Sequence, residues 1–246
     1  MGYEPRPGLP GYWSYDGLEI QADVDTHRFV VGFARRACAP GARTLDIGAG
    51  AGALAKQLID AGLTVSCTTW DDRVRLPIPR YPLDLDYPFG VDQVGGEAFD
   101  LVSCVEVIEH VENPAALLRS CRAVVAPSGR VVLTTPNVES APARLQWLVR
   151  GCPLIFQTQE VVRNRHISML WRQGLEFQIE RAGFEIVEKH LMGEPNFRGA
   201  VQRVVKRAVF GAMRAVLSGD LAGESRIYVL APRAKAPAAH GPGDVY

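Results

Sequence analysis

The chain has no excess charge of either sign: 27 basic residues are balanced by 27 acidic ones in 246. No global field therefore favours a long polyanion, and nucleic acid is an unlikely partner on these grounds. Cysteine is scarce and shows no pairing pattern. Cys38, Cys67, Cys104, Cys121 and Cys152 are odd in number and contain no C-x-x-C spacing, so neither a zinc cluster nor a disulfide framework is indicated. Reduced thiols fit a cytoplasmic protein. No apolar run approaches the ~20 residues that span a bilayer. The first residues carry Glu4, Pro5 and Pro7 and lack the apolar core of a secretory leader. No internal repeat is visible. These absences leave a cytoplasmic globular protein, one domain with insertions.

What is present alternates between strand and helix. Residues 1–40 read as an irregular arm rich in Gly, Pro, Tyr and Trp, followed by a helix from Leu18 to Cys38 that Pro40-Gly41 ends. The main domain is expected over 41–231. Strands are predicted at Arg43–Ile47, Thr64–Thr69, Leu101–Val105, Arg130–Thr135, Phe184–Leu191 and Arg226–Ala231. Helices are predicted at Ala53–Ala61, from Asn113-Pro114 to about Val125, at Ser140–Arg150 and at Met169–Ala182, with 151–168 irregular. Ser128-Gly129 reads as a turn. Residues 192–223 form an insertion, and 232–246 a flexible tail. Such alternation implies a parallel sheet covered by helices on both faces.

The densest signal is Thr44-Leu45-Asp46-Ile47-Gly48-Ala49-Gly50-Ala51-Gly52-Ala53. It reads as a strand closing on a carboxylate, then a glycine-rich turn, then a helix. Glycine lets backbone approach a ligand and adopts positive φ freely. The helix start behind it offers unpaired N–H groups. A nucleotide-like cofactor at the carboxyl edge of the sheet is the natural occupant. Gly48, Gly50 and Ala53 also fit a relaxed dinucleotide fingerprint. Asp46 points elsewhere, because a carboxylate two residues before the first glycine suits a ligand carrying an amino group.

The D-x-G-x-G-x-G pattern resembles the first motif of class I S-adenosylmethionine-dependent methyltransferases. Phe99-Asp100-Leu101-Val102, Pro127-Ser128-Gly129-Arg130 and Arg181-Ala182-Gly183-Phe184 extend that resemblance over roughly 43–231. It implies a Rossmann-like α/β fold with a seven-stranded sheet, six strands parallel and the last antiparallel. It implies S-adenosylmethionine over Gly48, Ala49, Gly50 and Gly52, with Asp46 and Glu106 at its methionine end. The family places an acid at the end of the second strand for the ribose. Thr69 occupies that position, and Asp71 lies two residues on. Trp70 either stacks on the adenine or packs locally. Asp84 and Leu85 either flank the adenine or form a solvated acidic turn.

The second sharp signal is Glu106-Val107-Ile108-Glu109-His110-Val111. On a helical turn Glu106, Glu109 and His110 share one side, and the three aliphatics face the protein. Two carboxylates and an imidazole suit a divalent cation. The same E-x-x-E-H resembles that of ubiquinone-type O-methyltransferases and small-RNA 2′-O-methyltransferases, where it holds Mg²⁺; His166 falls where the RNA enzymes carry a further ligand. Glu106, Glu109, His110 and His166 are thus the candidate metal set. His110, His166 and Glu109 are the candidate catalytic set, with a histidine as base for a hydroxyl. His27, His190 and His240 are read as structural. The expected acceptor is a small phenol, glycan or natural product. An RNA-end methyltransferase, a cofactor-binding protein without turnover and a nicotinamide oxidoreductase are the rival readings. Residues 198–217 pattern as a basic amphipathic helix that meets a membrane surface, its own domain or a second copy in a homodimer.

Overall fold

The structure, a computed structural model, describes residues 2–6, 12–193, 208–213 and 215–234. Three short strands, β1 (Tyr3–Pro5), β2 (Trp13–Tyr15) and β3 (Leu18–Glu19), pair antiparallel ahead of α1 (Val24–Ala37). This corrects the irregular arm and the helix from Leu18. Asp16-Gly17, with φ of 52° and 76°, is a two-residue turn whose positive dihedrals join β2 to β3. Helix α1 begins only where Asp23 accepts the Asp25 N–H at 2.8 Å.

The main sheet comprises β4 (Arg43–Ile47), β5 (Thr64–Thr69), β6 (Arg80–Pro82), β7 (Phe99–Cys104), β8 (Val125–Pro136), β9 (Phe184–Met192) and β10 (Ser225–Pro232). Their spatial order is β6-β5-β4-β7-β8-β10-β9. Only β10 opposes its neighbours, β8 and β9, so the expected six-to-one arrangement is present. Between them run α2 (Ala53–Asp60), α3 (Pro114–Val124), α4 (Ala141–Arg150), α5 (Thr158–Asn164) and α6 (Arg172–Arg181). Strand order reverses between β4 and β7, which opens a crevice at their carboxyl ends.

Alternation along the strands divides the core. Val131, Leu133, Tyr228 and Leu230 pack with Leu117 and Leu118 of α3 and Leu175 and Ile179 of α6. Val132, Ile227 and Val229 pack with Val30 and Phe33 of α1 and Leu54 and Leu58 of α2 on the other face. This period of two is what a sheet buried on both sides requires.

Three further details depart from expectation. Strand β8 begins at Val125 and runs through the supposed Ser128-Gly129 turn, with a register irregularity against β7 between Phe99 and Leu101. Helix α5 lies inside 151–168, and α6 starts at Arg172, not Met169. Of the basic helix, 198–207 lie outside the described residues. The helical stretch at 208–213 packs Phe210 and Met213 against Ala141, Leu145 and Leu221, while Val209, Val216 and Leu217 remain exposed. Most of the tail also lies outside. No helix among the described residues is long and apolar enough to cross a membrane.

Candidate active site

At the switch point lies a cavity of about 1530 Å³. Ordinary small-molecule sites occupy roughly 300–1,000 Å³, so this one has room for a cofactor and an acceptor together. Asp46 is the penultimate residue of β4, and the turn after the strand runs through Gly48 and Gly50 at φ of 67° and 55°. A Cβ on Gly48 would stand 2.7 Å from Val107 Cγ2, and one on Gly50 2.3 Å from Gln21 Oε1. The turn is therefore glycine for dihedral and for space alike.

Asp46 is buried, and its Oδ1 accepts from Ser103 Oγ at 2.7 Å. Its Oδ2 has no partner although the residue lines the cavity. Burial raises its pKa to about 7, against the lowering pull of the Ser103 bond and of the Ala55 backbone N–H at the start of α2. A cationic ligand group would satisfy both the orphan oxygen and the charge. Thr69, Trp70, Asp71, Asp84 and Leu85 line the same cavity. Thr69 Oγ1 donates to the Asp71 carbonyl at 2.7 Å, so it braces the turn after β5. Asp71 binds Arg73 through Nε at 2.6 Å. Trp70 lines the cavity and is 73% exposed. Asp84 Oδ1 accepts from Asp86 N at 3.1 Å, and Asp86 in turn caps Glu112 N at 2.6 Å.

The E-x-x-E-H stretch is not one helical turn. Glu106 sits at φ 51°, and only Ile108–His110 form a short 3-10 turn. Its backbone N–H donates to Thr134 Oγ1 at 2.9 Å, and that hydroxyl donates to Glu106 Oε1 at 2.8 Å. Glu106 is thus tied to β8 and stands outside the group formed by Glu109, His110 and His166, whose ligand atoms lie within 4.8 Å of one another. Val107, Ile108 and Val111 are buried, as expected. Burial raises Glu106 to about 7, offset in part by Thr134. Glu109 is fully buried beside the Glu106 carboxyl, and burial together with the Glu106 charge lifts its pKa well above the carboxylate range.

His110 is held below its ordinary value by burial and then by His166. Its Nε2 lies 4.0 Å from Glu109 Oε1, but both groups are pushed toward their neutral forms, so this is not an ion pair. The His166 ring meets His110 edge-on at 4.8 Å between centroids. Its Nδ1 lies 2.8 Å from the Ile155 carbonyl. A carbonyl only accepts, so Nδ1 carries the proton and Nε2 keeps its lone pair.

Three further groups carry no motif that marks them in the sequence. Gln21, Asp23 and His27 wall the cavity from the segment before α1 and from α1 itself. Asn137, Ser140 and Ser225 line its floor. Beneath them Arg226, fully buried, donates to Asn137 Oδ1 at 3.0 Å and Glu139 Oε2 at 2.7 Å and lies 3.1 Å from Asp220 Oδ2. Arg226 reads as an ordinary strand residue until β8 and β10 are paired.

A profile described as a methyltransferase domain matches residues 21–189. A ubiquinone biosynthesis O-methyltransferase of Xanthomonas campestris is 32% identical over 130 residues, 50% of this chain and 54% of that protein. The chain thus spans about half the length of the curated relatives it matches. A SAM-dependent methyltransferase from Archaeoglobus fulgidus superposes with a TM-score of 0.52 at 16% identity, covering 83% of this chain and 93% of its own. Magnesium protoporphyrin IX methyltransferase from Synechocystis, solved with bound SAH, superposes with a TM-score of 0.54 at 16% identity, covering 85% and 82%. With a Rossmann-like sheet in this strand order, a glycine turn behind Asp46 and a matched profile over most of its length, the chain belongs to the class I S-adenosylmethionine-dependent methyltransferase family.

Proposed function

We propose that the protein transfers the methyl group of S-adenosylmethionine to a hydroxyl of a small acceptor, a phenol or a sugar. The observation that carries this reading is His166, whose Nδ1–H is committed to Ile155 O and whose Nε2 is left as a proton acceptor in the cavity. A hydroxyl is a poor nucleophile until its proton leaves, whereas a free amine needs mainly positioning. In the proposed step the acceptor oxygen, aligned about 3–3.5 Å from the methyl carbon, forms the new C–O bond as the C–S bond breaks. The proton passes to His166 Nε2, and S-adenosylhomocysteine leaves. His110 packs against the base, and Glu109, kept protonated, does not compete for the proton. The homologues named ubiquinone biosynthesis O-methyltransferase support oxygen as the acceptor atom.

A second reading has its own observation. Glu109 and the imidazoles of His110 and His166, their ligand atoms within 4.8 Å of one another, form a donor set that could hold a divalent cation. A histidine that gives its other N–H to a carbonyl is also typical of metal ligands. With Glu106 held by Thr134, the set is two nitrogens and one carboxylate, which suits a borderline cation better than Mg²⁺. The proposed step does not route through it. The deciding experiment incubates the protein with deuteromethyl-labelled cofactor and a pool of phenolic and glycan acceptors, read by mass spectrometry. Label on oxygen supports the proposal; label confined to amines or carbon overturns it.

A further inference from the structure

His27, a structural histidine by sequence alone, lines the cavity, and its orientation is set by a chain of hydrogen bonds from the N-terminal sheet. Tyr3 of β1 donates its hydroxyl proton to Gln57 Oε1 at 2.7 Å. That places the Gln57 amide nitrogen 3.0 Å from His27 Nδ1. An amide N–H2 can only donate, so Nδ1 must accept, and the neutral ring carries its proton on Nε2. Gln57 and His27 are both buried, which makes the choice of partners costly to reverse. With Nδ1 engaged on the α2 side, Nε2–H is the remaining polar group of a side chain that lines the cavity.

The amino-acid end of S-adenosylmethionine carries one cation and one anion. Asp46 Oδ2 is an orphan acceptor at the cavity wall and suits the ammonium. The complementary donor is missing from the motif residues. We infer that His27 is a cofactor-specificity residue: its Nε2–H receives the carboxylate of the cofactor's methionine end, and the Tyr3–Gln57 pair positions it. The Asp23 carboxylate on the same wall is turned away in part, since its Oδ1 accepts from Asp25 N at 2.8 Å to cap α1. Burial lowers the His27 pKa to about 4, so the ring is a neutral donor at physiological pH and tests as one. The N-terminal sheet, clamped to α2 through Tyr3 and through Tyr15 Oη to Asp60 at 3.0 Å, acquires a role in binding.

The inference rests on the proposed cofactor and is independent of the acceptor. Calorimetry compares S-adenosylmethionine with decarboxylated S-adenosylmethionine, which differs only in the carboxylate. The protein is expected to prefer the intact cofactor. His27→Phe is expected to lose about 10- to 100-fold in affinity for it, the range of one hydrogen bond to a charged group, with little change for the decarboxylated form. Tyr3→Phe, which frees the Gln57 amide, should lose part of the same preference. Should the parent protein bind neither compound, the cofactor reading falls and this inference with it. Should His27→Phe keep the parent's preference, only the inference falls. Nitrogen NMR of the parent protein covers the case in which His27→Phe does not fold. The His27 ring must show the Nε2-protonated tautomer, and that N–H must move on addition of S-adenosylhomocysteine but not of adenosine. A ring protonated at Nδ1, or one that responds equally to adenosine, overturns it.

Discussion

Replacing Asp46 by Asn should strengthen the empty protein and weaken its hold on the cofactor. The side chain is isosteric, so Asn Oδ1 can still accept from Ser103. What disappears is a buried carboxylate whose Oδ2 has no partner. Its pKa in the fold, about 7, exceeds the ordinary 3.8 by about three units, and each unit is worth about 1.36 kcal/mol. The sign follows from linkage. The folded protein holds this proton more tightly than the unfolded chain does, so the stability tied to it is present below the unfolded pKa and is lost as pH rises through about 7. At pH 8 the ionised carboxylate therefore costs the empty protein up to about 4 kcal/mol, which Asn removes. For a chain of this size about 2–4 °C in Tm accompanies each kcal/mol. Calorimetric unfolding of the ligand-free protein at pH 8 should show Asp46→Asn melting several degrees higher, and the gap should close toward pH 5. Titration with S-adenosylmethionine at pH 8 should show affinity reduced about 10- to 100-fold, since a charge-assisted contact is gone. A variant that melts lower at pH 8, or that binds the cofactor as tightly as the parent, refutes the reasoning.

Four other outcomes are expected. His166→Ala should lower kcat by about 10²- to 10⁴-fold and leave S-adenosylmethionine affinity unchanged by calorimetry; unchanged kcat would remove it as the base. Turnover should persist after chelation and dialysis, whereas loss restored by an added divalent cation would favour the metal reading of Glu109, His110 and His166. Gly48→Ala should cost about 1–3 kcal/mol in chemical denaturation, because φ is 67° and the new Cβ meets Val107 Cγ2 at 2.7 Å. Val107→Ala in that background should recover only the steric part. Arg226→Met should destabilise by about 1–3 kcal/mol, measured the same way, because Glu139 loses its counter-charge and Asp220 keeps only Arg172 at 3.8 Å.

Local chemistry explains what the sequence made legible. The Asp46–Ala53 turn could be read because every requirement of the site, acid, dihedrals and helix start, falls within eight consecutive residues. Strands β4, β5, β7, β8 and β10 could be read because they are short stretches rich in aliphatic and β-branched residues, set between helical segments and Gly/Pro breaks. Strand β6 was invisible for the opposite reason: Arg80–Pro82 is a three-residue edge strand with a proline and no apolar periodicity. The β1–β3 sheet escaped because its strands are two or three residues long, although Asp16-Gly17 marked its hairpin.

Spacing misled at Glu106 because a helical projection assumes helical backbone. One residue at φ 51° turns that carboxylate to Thr134 and leaves Glu109 and His110 to meet His166 from more than fifty residues away. His166 itself was found by family position, yet the bond that makes it a base or a ligand, to Ile155 O, comes from a segment read as irregular. The same holds for His27, whose tautomer is decided by a tyrosine twenty-four residues upstream and a glutamine thirty residues downstream. A motif specifies which atoms come to the cavity. Which of them donate and which accept is settled by partners at long range: Thr134 of β8 for Glu106, the Ile155 carbonyl for His166, and Tyr3 of β1 with Gln57 of α2 for His27. A shortened chain that kept the glycine motif but lacked β1 would therefore retain the family's signature and lose the hydrogen bond that fixes one wall of the site.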